Sequence, residues 1–300
     1  MSSGAPSLPQ LDGNTLVATS DWGGGRRRRF SVVVRRLVHS PTFWIALAIV
    51  LFWVVMAIGW RWLAPHDPYA VSSDRLQSPS RDHLLGTDQL GRDTLSRTLA
   101  GSESVLLIAP AAIFLATIGG TILALIGGFY RGSVDDVLMR VTDGFLAFPL
   151  IIPLMIILSL LGPSKLTILG VISVTYMFLI APTIRSLVIV EREKEYVEAG
   201  RLRGERGWYL TGVEILPNIT GPVFVEMTVR IGYAIFFIGA LSFLGLGLQP
   251  PSSDWGLMIS AQRQYLELAP WTVFSPAVAI ASLIIAINLL ADTINSAMSR

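Results

Sequence analysis

Three histidines, His39, His66 and His83, are the only imidazoles in the chain, and there is no cysteine. Without thiols there can be no disulfide, thiolate metal site or cysteine nucleophile. The histidines stand far apart along the chain and match no close-spaced ligand pair such as H-E-x-x-H, so no metal site is expected. Lysine occurs only at Lys165 and Lys194, neither in a glycine-rich context, and no G-x-x-x-x-G-K-[ST] phosphate loop is present. No nucleotide is therefore expected to bind this chain through such a loop. The remaining candidates are polar residues inside apolar runs, where charge is costly and often functional. Glu226 and Arg230 are four apart and predict an ion pair at the start of the fifth run, near one interface. With Ser242 they are the candidates for lining a substrate path. Asn288 and Asp292 repeat the spacing near the end of the sixth run, and Asp143 is placed to pair with Arg140.

The elements that must position these residues follow from composition. Of 300 residues, 52% are hydrophobic and 15% charged, and the mean hydropathy is +0.59. Soluble domains carry roughly 25% charged residues, so a water-facing surface cannot be covered and an ordinary cytosolic enzyme is excluded. Nucleic-acid binding would need a clustered basic face. The one dense cluster, Arg26 to Arg29 with Arg35 and Arg36, abuts an apolar span instead.

Residues 1–34 are rich in Gly, Ser and Pro and read as a flexible tail. The apolar stretch 43–63 has about the ~20 residues a bilayer span needs. It lacks a small-residue cleavage pattern, so it is read as an uncleaved anchor rather than a signal sequence or twin-arginine signal. Further apolar runs at 104–129, 141–161, 166–190, 223–248 and 271–293 bring the number of spans to six. In hydrocarbon an unpaired backbone group costs several kcal/mol, so each span must be helical. The expected fold is an all-α polytopic membrane protein with six transmembrane helices. Its divisions are a tail (1–34), a first helix (35–64), an outer loop (65–103) and a five-helix core (104–298). Gly119, Gly120, Gly127 and Gly128 are read as sites of close helix packing.

Lys and Arg are dense before the first run, at Arg131 and Arg140, and between the fourth and fifth runs. The opposite loops are poorer, and in the first of them acids outnumber the four arginines. The positive-inside rule then places both termini in the cytoplasm of a multi-pass inner-membrane protein.

The longest polar stretch on that side, 191–221, mixes six glutamates with basic residues and predicts a short helix broken at Gly204 and Gly207 and ended near Pro217. Its run Glu198-Ala199-Gly200-Arg201-Leu202-Arg203-Gly204, followed by Ile215-Leu216-Pro217-Asn218, closely resembles the EAA loop of ATP-binding-cassette importer permeases. Two departures are visible: Gly200 replaces the second alanine, and Glu214 stands at an apolar position. The glycine should weaken the helix by up to ~1 kcal/mol.

Two other stretches resemble the second permease of the oligopeptide, dipeptide and nickel importers. One is His83-Leu84-Leu85-Gly86-Thr87-Asp88-Gln89-Leu90-Gly91-Arg92-Asp93. The other is Ser242-Phe243-Leu244-Gly245-Leu246-Gly247 with Pro250, Pro251 and Asp254-Trp255-Gly256. Many relatives carry an acid one turn before the second motif, where this chain has Ile238.

The resemblance implies a type I permease fold and an import function. Its coupling helix, with Tyr196, Glu198, Ala199, Gly200, Arg201, Leu202 and Gly204, would enter a groove on an ATPase subunit. The implied partners are a homologous permease, two ATPase subunits that bind ATP and Mg, an extracytoplasmic substrate-binding protein and the bilayer. Asp88, Arg92, Asp93, Asp254 and Trp255 are the candidates for contact with that binding protein. Short peptides are the expected cargo, with nickel or glutathione as alternatives on the same machinery. An ion-coupled secondary transporter would need internal pseudo-repeats and midplane ionisable residues, and no repeat of halves is visible. A membrane-embedded enzyme or receptor would need a catalytic constellation or an effector domain, and neither is present.

Overall fold

The computed structural model describes residues 36–298, so the tail at 1–34 and the arginines at 26–29 lie outside the described residues. Within them, every regular element is helical, and the only bridge is the isolated pair Thr87 and Asp93. Five long apolar helices are continuous: α1 (Pro41–Leu63), α2 (Thr94–Tyr130), α5 (Lys165–Arg192), α7 (Gly207–Phe243) and α9 (Trp271–Met298). A sixth crossing is made by the pair α3 (Ser133–Leu146) and α4 (Ile151–Leu161), bent by 82° at a short break. Two shorter helices, α6 (Glu195–Leu202) and α8 (Trp255–Gln262), lie between spans. The protein is a multi-pass, all-α membrane protein.

The core forms where α2 and α5 run against each other, the most extensive helix contact in the molecule. Small residues permit it: a Cβ on Gly120 would meet the Met177 carbonyl at 2.9 Å, and one on Gly128 would meet Val188 at 2.9 Å. Ile108, Ile113, Ile172, Tyr176, Ile180 and Ile184 fill the seam. By contrast, α1 leaves Trp44, Ile45, Val55 and Ile58 exposed, as a helix at the rim of a bundle in lipid does.

Several boundaries differ from those read in the sequence. The second span begins at Thr94 rather than 104, so residues 94–103 of the expected outer loop are helix. Asp93 caps it, its Oδ2 accepting the Ser96 N–H at 2.8 Å. At 37 residues this helix is about 55 Å long, well beyond the ~30 Å of hydrocarbon. The overhang is polar, and a hydropathy pattern therefore stops short of it. The third span starts at Ser133 rather than 141 and is broken beside Pro149.

The fifth span starts at Gly207, not 223, so Pro217 does not end a helix. Residues Leu210–Ile215 form a π turn, and the Asn218 side-chain amide donates to the Glu214 carbonyl at 2.7 Å. This widened turn accommodates the proline ring and its missing N–H without stopping the helix. The span ends at Phe243 rather than 248, closed by Gly245 at φ +83° and a Leu246 N–H bond to the Leu241 carbonyl.

Candidate functional site

The eight-residue α6 sits between α5 and α7 at the end of the bundle where both described termini lie. Glu195 and Glu198 occupy its first turn and Arg201 its last, so its charges complement the helix dipole. It ends at Gly204, φ +77°, where the Glu205 N–H reaches back to the Gly200 carbonyl at 3.1 Å. This closure favours a residue without a Cβ at the left-handed position.

Two faces divide its residues. Val197 and Gly200 are buried against the bundle, whereas Glu198, Ala199, Arg201 and Leu202 face outward, Leu202 with 85% of its surface exposed. Gly200 is explained by its neighbours. A Cβ there would meet Leu210 at 2.6 Å and Glu205 at 3.0 Å, so close packing on the π turn favours a glycine despite its cost in helix propensity.

Three anchors hold α6. The buried Glu191 at the end of α5 accepts from Lys194 Nζ (2.8 Å to Oε2) and from Tyr196 Oη (2.8 Å to Oε1). The Asn218 amide of α7 donates to the same Tyr196 oxygen at 3.2 Å. Burial, then the bond to Glu191, pushes the Tyr196 hydroxyl up to about 12, which keeps it protonated as a donor. The Arg201 guanidinium lies 5.2 Å from the Phe129 ring centre at the end of α2. A short helix is thereby tied to three spans at once.

The bond between Arg230 Nε and Glu226 Oε1 is 2.7 Å, as the four-residue spacing predicts. Counted along α7 the pair lies near the middle, because that helix begins sixteen residues before the apolar run. Both side chains are partly exposed, at 22% and 18%. Ser242 is buried at the penultimate position of α7, beside the Asp254 carboxyl. The expected Asp143–Arg140 pairing is replaced as the helix tie at that end by Asp135 of α3 and Arg185 of α5, whose Nε donates to Oδ1 at 2.5 Å. This pair was not singled out in the sequence, although Arg185 inside an apolar run was the available signal.

At the opposite end, the five residues expected to face a binding protein are all buried. Asp88 accepts from the Leu90 and Arg92 N–H groups and from Arg92 Nε at 2.7 Å, and Arg97 approaches it at 3.6 Å. Arg97 also donates to the carbonyls of Pro68 and Ser252, which joins the two outer loops. Trp255 donates to the Thr98 carbonyl at 2.7 Å and stacks edge-on against Trp53, centres 4.9 Å apart. Asp254 caps α8 through the Leu257 N–H, and burial holds its carboxyl above the usual carboxylate range. These side chains build the outer layer and do not form its exposed surface. The layer also unites two histidines that are distant in sequence, His66 and His83, whose ring centres are 4.8 Å apart.

An all-α bundle of apolar spans with a short exposed helix tied to three of them defines a polytopic membrane protein. Comparison with known proteins agrees. The family described as binding-protein-dependent transport system inner membrane component matches residues 116–300, and the N-terminal TM domain of oligopeptide transport permease C matches 29–81. The dipeptide transport system permease protein DppC of Alkalihalophilus pseudofirmus is 36% identical over 85% of this chain and 84% of its own. The di/tripeptide permease DppC of Pseudomonas aeruginosa is 35% identical (84% and 86%), and the nickel permease NikC of Escherichia coli 34% (83% and 91%). The chain belongs to the inner-membrane permeases of binding-protein-dependent transport systems, in the oligopeptide permease C branch.

Proposed function

We propose that this chain is one permease of an ATP-driven importer of short peptides. It works beside a homologous permease, two ATPase subunits that hold ATP and Mg, and an extracytoplasmic substrate-binding protein. Both termini and α6 face the cytoplasm, where the outward face of α6 enters a groove on one ATPase. The observation that carries this reading is the exposed patch Glu198, Ala199, Arg201 and Leu202 on a helix fastened by Tyr196, Gly200 and Gly204. Nucleotide-driven motion of the partner then moves α2, α5 and α7 together, switching the path between inward- and outward-facing states. Glu226 and Arg230 line that path: a partly exposed charge pair on α7 presents a cation and an anion of the kind a zwitterionic peptide carries.

The test is peptide uptake by proteoliposomes containing all partners. Glu198→Lys should leave assembly of the permease pair intact and lower uptake about tenfold or more; wild-type uptake would refute the coupling role. The nickel-permease relative supports a second reading of the cargo. Competition among a dipeptide, glutathione and a nickel chelate separates the cargoes.

A further inference from the structure

We propose that His66, His83 and Asp93 form a binding site for one divalent transition-metal ion of the zinc class, at the end of the bundle opposite the termini. One nitrogen of each ring and one oxygen of Asp93 lie within 4.8 Å of one another. His83 Nδ1 is 2.9 Å from Asp93 Oδ1, and His66 Nδ1 is 3.8 Å from the same oxygen. Ligands at ~2.0–2.2 Å from a zinc ion lie roughly 3.3 Å apart around a tetrahedron. Separations of up to 4.8 Å must therefore close by as much as about 1.5 Å, shared between the side chains that move.

The surroundings fit a cation. The Asp93 side chain is only 2% exposed, and its ion-pair partners among the described residues are these two imidazoles, because the nearby Arg92 and Arg97 are engaged by Asp88. A buried carboxylate without a permanent cation is costly. Its second oxygen is fixed by the Ser96 N–H, the outer-shell restraint that orients metal-binding carboxylates. The N-terminus of α2 opposes a cation by only ~0.3–1 kcal/mol, far less than coordination by three ligands supplies.

Two nitrogen donors and one oxygen favour zinc-class ions over magnesium or calcium, which take oxygen sets. His66 is 43% exposed, which leaves an open side for water or an external fourth ligand. His66 follows the end of α1 and Asp93 caps α2, so the ion clips the connection between these spans.

The test uses the full-length protein without an affinity tag, stripped of metal in detergent micelles and titrated with Co2+ and then Zn2+. One saturable Co2+ site per chain, with the visible bands of a four-coordinate ion, and a Zn2+-induced rise in melting temperature are expected. His66→Ala, chosen because this side chain is 43% exposed, should weaken Zn2+ binding ~10-fold or more. His39→Ala should leave it unchanged. The absence of a saturable band, or an isotherm that His66→Ala does not alter, overturns the proposal.

Discussion

The two ends of the bundle carry charged segments of similar composition and use them in opposite ways. At the α6 end, Glu198 and Arg201 face outward, and the fixing is done by Tyr196, Glu191 and close packing at Gly200. At the opposite end, Asp88, Arg92, Asp93 and Arg97 are turned inward and knit loops 65–93 and 249–270 to the start of α2. Charge in a loop therefore does not by itself mark a contact surface. What marks one is charge left over after the loop's own buried backbone and side-chain partners are satisfied.

The contrast is broken most directly by Asp88→Lys. It leaves two buried guanidinium groups beside a third cation, and breaking such a pair costs about 3–5 kcal/mol. Thermal unfolding in detergent should show a large loss of stability or no folded protein, whereas Glu198→Lys should melt like the wild type. Gly200→Leu comes next: overpacking against Leu210 costs about 1–3 kcal/mol, and the same melting experiment should show an intermediate loss. Tyr196→Phe removes a hydroxyl that bridges Glu191 and Asn218 and should cost about 0.5–1.5 kcal/mol. Its uptake defect should exceed its stability defect if α6 transmits motion.

The smallest effect concerns Asp254. Its carboxyl titrates above the ordinary value because it is buried. Folding therefore favours the protonated form, and that stability is lost as pH rises through the folded value. Asp254→Asn keeps a cap for the Leu257 N–H, so as pH rises above the ordinary carboxylate range its melting temperature should fall less than that of the wild type.

Much of the architecture was legible in the residues. Apolar runs located all six crossings, and the 198–204 motif located α6 together with its closing glycine. The ends of α2 and α7 were not legible, because hydropathy stops where a helix becomes polar although the helix itself continues. The Glu226–Arg230 spacing gave the pair, but not its place along α7, since that depends on where the helix starts. Gly200 read as a flaw in a motif until Leu210 was seen against it. His66 and His83 read as isolated until the outer layer folded.

The sequence by itself determined that this is a helical membrane protein of six crossings with a projecting polar helix. In hydrocarbon each backbone must satisfy its own hydrogen bonds, and that requirement is local to a segment. Only the tertiary structure decided which charges are buried, which face of α6 is free and which distant side chains meet. Those outcomes depend on contacts between segments far apart in the chain, and no spacing within one segment records them.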